Sequence, residues 1–366
     1  FVVKIKNNMK VCILGSGLTA LTLAKALVNQ NIFVDMVSDV LNYKINQSRT
    51  IGISKSNFEY LNNNVTNIKK IAWKLKKIEI YSDNLKKEKI LNFENNSDHL
   101  FSIVKNYQLY EILNKNLSIN KFYKKIKMKK NIANLKKYNL IINTNYLNYF
   151  TKKFFNKKII KTYNSLAYTT VINHENISND VAFQIFTKTG PLAFLPISKN
   201  KTSIVYSIHN SKNNIKENIN QLIKKYNFKY KIKKINKIEN FDLISCTLRN
   251  YYYKNILAFG DLLHRIHPLA GQGFNMTIRD TNMLVNIIKK KIDLGLPIDS
   301  SVNIEFEKEL RHKNYIFSNG IDLIHEFFNL ERRFDNKILS RTVKLFGKNP
   351  YINKLFVQIA DKGINI

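Results

Sequence analysis

The sequence predicts an α/β protein in which a Rossmann-like, dinucleotide-binding domain is interleaved with an antiparallel-sheet domain and followed by a helical C-terminus. Three observations carry this. The apolar strand Lys10 to Leu14 runs into Gly15-Ser16-Gly17-Leu18-Thr19-Ala20 and then into a helix. A second apolar strand, Ile256 to Phe259, ends at Gly260-Asp261, loops through His267-Pro268 and Gly271-Gln272-Gly273, and enters the amphipathic run Met276 to Ile288. Strand-rich sequence fills Ser165 to Ile208 between them, and residues 301 to 366 follow with a helical period.

Taken in order, Leu21, Ala24, Leu27 and Val28 share one face of the first helix, and the strand Ile32 to Val37 completes a βαβ unit. In that context Gly15 and Gly17 permit the tight turn and the approach of a pyrophosphate, while the small Ala20 lets helix and strand pack. A ribose-binding acid is expected at Ser38, with Asp39 beside it as the substitute. Arg49 to Ser54 reads as a strand entering a helix capped by Ser54 or Ser56. Short alternating strands over 71 to 93, a helix from Leu109 to Leu117 and a strand from Asn139 to Ile142 follow. Gly190 to Pro196 forms a turn and strand, and residues 216 to 226 a helix. There is no internal repeat and no Pro/Ser-rich linker, so the two domains are expected to exchange strands.

The stretch from Ile256 to Ile288 organises the chain. Gly271 and Gly273 let the backbone turn tightly and approach a ligand, because no Cβ intervenes. The helix that follows points unpaired N–H groups and its positive dipole end at that turn, which suits an anion or an electron-rich oxygen. Asp261, where a strand ends, is placed to accept hydrogen bonds from ligand hydroxyls. Composition sharpens the point: of only 11 glycines in 366 residues, Gly260, Gly271 and Gly273 fall in this one stretch. Eight arginines stand against fifty-two lysines, so Arg49, Arg265 and Arg279 carry more weight than any lysine.

A net charge of +34 would suit nucleic acid or an anionic membrane surface. The lysines, however, are spread with asparagine along the whole chain, and no zinc-finger or RNP-type motif accompanies them, so no nucleic-acid partner is expected. Cys12 and Cys246 lie in apolar segments without metal-ligand spacing and read as reduced thiols of a cytoplasmic protein. No apolar run reaches the ~20 residues of a membrane span. Phe1 to Asn8 lack the apolar core of a signal peptide, and Met9 is the expected start.

The two glycine motifs, with Arg49 to Ser54, Ile103 to Leu109, Gly190 to Pro196, His264, Asn275, Asp280 and the tail Ala360-Asp361-Lys362-Gly363, resemble the FAD-dependent aromatic hydroxylases of the para-hydroxybenzoate hydroxylase fold. More narrowly, the chain resembles the ubiquinone-biosynthesis hydroxylases of the UbiH and Coq6 group. The resemblance implies an FAD-binding domain made of residues 9–70, 100–150 and 251–295, a substrate domain of 71–99 and 151–250, and a C-terminal helical region of 296–366. Gly15, Gly17 and Ala20 would face the FAD pyrophosphate, Ser38 or Asp39 the adenosine ribose, and Arg49 and Gln108 the cofactor from neighbouring elements. Gly260 would lead into Asp261 on the ribityl hydroxyls, and Asn275 would belong to the same motif. Gly271, Gln272 and Gly273 would lie against the flavin pyrimidine, and Pro268 would border the ring where oxygen reacts, these four forming the catalytic surface.

The implied chemistry is reduction of FAD by NAD(P)H or an electron-transfer protein, capture of O2 as a C4a-hydroperoxide, and transfer of OH to an electron-rich ring of a polyprenylated phenol in ubiquinone biosynthesis. Other ubiquinone-pathway proteins would be partners. The apolar positions Phe317, Ile321, Ile324, Phe327 and Phe328, near Lys313, Arg332 and Arg333, are either core or a face resting on the inner surface of the membrane. The chain departs from the family at Thr144-Asn145-Tyr146, with Tyr149 and Lys152, where Ala-Asp-Gly and then Ser and Arg are usual. Tyr146 in place of glycine cannot adopt a positive φ without strain, so this loop is expected to differ. Two alternatives follow: a non-catalytic flavoprotein-like subunit, and an FAD hydroxylase of a soluble phenol.

Overall fold

Val11, Cys12, Ile13 and Leu14 are all buried, the pattern of a strand covered on both faces and hence of a parallel sheet. The computed structural model describes residues 10–39, 47–83, 88–94, 99–128, 135, 137–209, 219–266, 271–333 and 338–363. Its strands are β1 (Lys10–Leu14), β2 (Phe33–Ser38), β3 (Thr50–Ser54), β4 (Ala72–Leu75), β5 (Lys77–Ser82), β6 (Glu88–Glu94), β7 (Phe101–Lys105), β8 (Tyr123–Lys127), β9 (Leu140–Asn143), β10 (Lys158–His174), β11 (Val181–Thr187), β12 (Gly190–Ser198), β13 (Lys201–His209), β14 (Ile232–Ile235), β15 (Glu239–Leu248), β16 (Tyr252–Tyr253), β17 (Ile256–Ala258) and β18 (His264–Arg265). The helices are α1 (Leu18–Val28), α2 (Lys55–Tyr60), α3 (Asn106–Ser118), α4 (Tyr149–Phe154), α5 (Ile219–Tyr226), α6 (Gln272–Asp293), α7 (Ser300–Arg333), α8 (Ile338–Lys348) and α9 (Pro350–Lys362).

The strands form three sheets. A six-stranded sheet runs β16-β17-β9-β1-β2-β8, parallel at every pairing except β16 with β17. Helices α1, α3 and α6 pack with it around the largest apolar core. The second sheet runs β18-β15-β10-β13-β12-β11-β5-β6, with β14 on β10. Phe183, Ile185, Leu192, Phe194, Ile204 and Tyr206 make its core against α5. A small sheet, β3-β7-β4, joins the two halves.

The α/β class, the parallel sheet, the antiparallel sheet and the helical C-terminus are all present. The chain crosses between the sheets repeatedly: β5 and β6 pair into the second sheet before β8 and β9 return to the first, and β18 joins β15 directly after β17. Strand β4, expected with the substrate domain, pairs instead with β7. The second strand is Phe33–Ser38, one residue beyond its expected bounds, so Ser38 ends the strand and Asp39 stands just outside it. Helix α5 is described from Ile219; residues 216–218 of the expected helix, like Met9, lie outside the described residues.

Candidate functional site

The carboxyl ends of β1, β9 and β17 lie side by side, and the two glycine motifs leave the sheet there. Gly15 has φ +129°, and a Cβ on it would collide with Thr144 Oγ1, whose hydroxyl donates to the Leu14 carbonyl at 2.9 Å. Gly260 has φ +66°, and a Cβ there would strike the Thr19 side chain. The two motifs thus interlock through Thr19, a residue with no motif signal of its own. At Gly17 an added Cβ would meet no protein atom within 4 Å. Gly17 is also the N-cap of α1 and offers no side-chain cap, so the helix presents free N–H groups to open space. Ala20 is fully buried in the core, the packing role that its size predicts.

Gly271 is the N-cap of α6 in the left-handed region, φ 65° and ψ 25°, again without a side-chain cap. It sits against β3, where its Cβ would lie 3.6 Å from the Gly52 nitrogen. Asn275 fastens this approach: its Nδ2 donates to the carbonyls of Gly52 at 2.9 Å and Gly271 at 3.1 Å, and its Oδ1 accepts from Ser54 N at 3.0 Å and from Asn57 Nδ2 at 3.0 Å. Asn275 therefore acts on the backbone, with both ends of its buried amide used.

A cavity of about 870 Å³ begins at this turn. Arg49, Gly52, Asn106, Asp261, Gln272 and Gly273 line its polar end, and mainly apolar side chains of the second sheet and of α7, α8 and α9 line the rest. Asp261 is exposed on a one-turn 3-10 segment, Gly260–Leu262. Arg49 is held by its guanidinium 4.2 Å above the Phe241 ring. Gln272 is 2% exposed, and neither its Oε1 nor its Nε2 has a protein partner. Asn106, unmarked in the sequence except for lying two positions before Gln108, has a buried Oδ1 in the same state. Gln108 is half-buried on α3 and is not among the lining residues. Ser38 is buried at the end of β2, and Asp39 is exposed. Pro268, with His267, lies outside the described residues.

His264, a lining residue of the cavity, bonds through Nε2 to Asp280 Oδ2, and Asn314 Nδ2 donates to Asp280 Oδ1 at 3.3 Å. Asp280 is therefore the partner of His264 Nε2. Arg279, next to Asp280 in the chain, is half-buried, its guanidinium 4.8 Å from the Phe317 ring. Burial pushes it down to about 10, and Asp280 and Asp361 oppose that shift. Arg265 also lines the cavity, its Nη2 donating to the Asp242 carbonyl at 3.4 Å.

The loop after β9 differs from the expected pattern in a defined way. Asn143 is fully buried, exchanges hydrogen bonds with Asn148 and donates to Thr151 Oγ1, while Asn145 Oδ1 accepts from Leu147 N at 2.9 Å. Among the described residues only Asn31 and Lys254 are non-glycine positions with positive φ, so Tyr146 is unstrained and exposed. The loop closes on its own amides and hydroxyls.

The observed groups fit a dinucleotide bearing a polyhydroxylated chain and a polar ring. Two uncapped helix N-termini suit its anionic and electron-rich parts, and the Asp261 carboxylate suits hydroxyl donors. The unpaired Gln272 amide and Asn106 oxygen suit ring donors and acceptors.

Comparison with known proteins points the same way. The family model described as FAD binding domain matches residues 186–293. The ubiquinone biosynthesis monooxygenase COQ6 of Schizosaccharomyces pombe is 22% identical over 230 residues, covering 50% of this chain and 48% of that protein. The 3-demethoxyubiquinol 3-hydroxylase of Escherichia coli is 29% identical over 162 residues, covering 42% and 41%. These matches thus span about half or less of each relative. Among solved structures, p-nitrophenol 4-monooxygenase PnpA of Pseudomonas putida superposes with a TM-score of 0.78 at 11% identity, covering 97% of this chain and 98% of that one. An HpxO variant of Klebsiella pneumoniae complexed with FAD gives 0.74 at 10% identity, covering 96% and 99%.

Proposed function

From a chain that carries an FAD-binding domain in the fold of the FAD-dependent monooxygenases, and that is distantly homologous to ubiquinone-pathway hydroxylases, we propose an enzyme that hydroxylates the aromatic ring of a polyprenylated phenol. The observation that carries the substrate class is the cavity: about 870 Å³, polar where Gly271 to Gly273 meet Asp261, and apolar from there to its mouth. A soluble phenol would call for a short pocket with a cationic end. Here, of the two arginines that line the cavity, Arg49 is stacked on Phe241 and Arg265 lies against the Asp242 carbonyl.

When bound, FAD supplies the electrons and the site at which O2 is activated, one oxygen atom passing to the ring and the other to water. The chain's own residues bind and orient. The N–H groups of α1 at Gly17 hold the pyrophosphate, Asp39 at the end of β2 takes the adenosine ribose, and Asp261 accepts from the ribityl hydroxyls. The N-terminus of α6 at Gly271 to Gly273, with the Gln272 amide, faces the pyrimidine edge and stabilises negative charge there. The apolar walls exclude water and hold the phenol ring against that end.

Beyond the ring, the isoprenoid tail runs toward α7, α8 and α9. Leu323, Ile324 and Phe356 line the cavity and are also exposed, so its mouth is an apolar rim. Leu345, Tyr351 and Leu355 extend that exposed apolar surface, with Arg341, Lys348 and Lys354 beside it. We propose that this rim rests on anionic lipid. Of the positions expected as either core or membrane face, Phe317 and Ile321 are core residues, packed with Ile266 and Met276, and Phe328, Arg332 and Arg333 lie outside the residues whose side chains are described. No helix among the described residues is long and apolar enough to cross a membrane.

The test is anaerobic reduction of the FAD-loaded protein, then mixing with O2 and either a short-chain polyprenyl phenol or para-hydroxybenzoate. Product gaining one oxygen atom only with the prenylated substrate is the expected result. Product only with the soluble phenol moves the assignment to that class. Oxygen use that is the same with and without either phenol leaves the non-catalytic subunit. An Asp261→Ala variant is expected to bind FAD at least about tenfold more weakly, read from the visible flavin spectrum.

A further inference from the structure

Helix α9 buries no residue. Its last turn is instead clasped by polar bonds. Asp361 Oδ1 accepts from the Ser56 backbone N–H at 2.8 Å, and the Ser56 hydroxyl lies 2.9 Å from that oxygen and 3.0 Å from the Asp361 carbonyl. The Ser54 hydroxyl donates to the same carbonyl at 3.1 Å. Ser54 and Ser56 stand at the corner where β3 enters α2, and Asp361 caps α2 from 305 residues away. Ser54 occupies the N-cap position, yet its side chain caps nothing in its own helix.

That corner is tied in turn to the cofactor turn. Ser54 N donates to Asn275 Oδ1, and the other end of the Asn275 amide holds Gly52 and Gly271. One helical turn further along α6, the Arg279 guanidinium lies under the tail, where a Cβ on Gly363 would come within 3.0 Å of its Nε. Asp361, Gly52, Ser54, Gly271 and Gln272 all line the one cavity. We infer that Asp361 is a positioning residue: acting through Ser54, Ser56 and Asn275, it fixes the distance between the Gly52 corner and the Gly271 turn, and so the width of the slot that takes the flavin. The inference rests on reading this site as the flavin site.

The experiment uses the full chain and its variants Asp361→Ala, Asp361→Asn and Ser56→Ala, with FAD affinity, the circular dichroism of bound flavin, and melting with and without FAD as readouts. Asp361→Ala is expected to weaken FAD binding about tenfold, one lost cap expressed as an equilibrium constant, and to change the flavin dichroism. Asp361→Asn keeps the Oδ1 acceptor and restores both. Ser56→Ala weakens binding less, and Asp361→Ala with Ser56→Ala is no worse than Asp361→Ala alone, because both break one clasp. A lowered melting temperature with parental FAD affinity and dichroism in every variant overturns the inference and makes Asp361 a tether. Should Asp361→Ala fail to fold, Ser56→Ala and Asp361→Asn decide the same question. A parent chain that binds no FAD refutes the flavin reading itself, a different outcome.

Discussion

At the scale of single residues, buried polar groups decide more than buried apolar ones. His174 is an example outside the site. Its Nδ1 lies 2.7 Å from the Glu175 carbonyl, its Nε2 lies 3.0 Å from Thr202 Oγ1, and Tyr230 packs on the ring. Burial pushes its imidazole below the ordinary value of 6.5, Lys229 adds to that, and the Glu175 bond opposes it. The folded chain therefore binds this proton less tightly than the unfolded chain. Stability contributed at neutral pH is lost as the pH falls below about 6.5, where the unfolded state takes up more protons. Melting between about pH 7.5 and 5.5 should show a smaller loss for His174→Asn than for the parent; an equal loss would mean that other groups carry the acid sensitivity.

The scale of elements is where the site is assembled, because no single motif contains it. Helix α6 and strand β3 are far apart in sequence and meet through one amide. Removing it with Asn275→Ala strands the Ser54 N–H and the Gly52 carbonyl in a buried setting, at a cost of about 3 kcal/mol. Urea unfolding of the FAD-free chain measures this directly, and a loss under about 0.5 kcal/mol, the usual range of neutral surface changes, would show that the clasp is dispensable. The loop after β9 teaches the complementary lesson. Tyr146 looks incompatible with the family's turn, but the backbone avoids positive φ there and Asn143, Asn148 and Thr151 close the loop internally. Its buried amides are spent within the loop.

The whole molecule joins a polar cofactor edge to an apolar mouth across one cavity. On the proposed membrane reading, a net charge of +34 would attract the chain to anionic lipid over about a Debye length, and the exposed side chains of α7, α8 and α9 would supply the short-range contact. Co-sedimentation with vesicles rich in anionic lipid should fall sharply for Leu345→Glu with Phe356→Glu, at unchanged FAD affinity. Binding that matches the parent, or that vanishes entirely at raised salt in both, would place the attraction in the diffuse charge and leave the rim without a role.

The sequence by itself determined the fold class and the cofactor. Gly15, Gly17, Gly260 and Gly271 are rare residues in a glycine-poor chain, and backbone turns and close approach impose local requirements that a local pattern can record. The position of Asp261 on the cavity was legible for the same reason, since it follows a recognisable strand. Only the tertiary structure decided that Asn275 serves the backbone, that His264 and Asn314 share Asp280, that Phe317 and Ile321 face inward, and that Asp361 reaches Ser56. Each of these depends on contacts between segments far apart in the chain, and neither periodicity nor spacing encodes which distant partner a polar or apolar side chain will find.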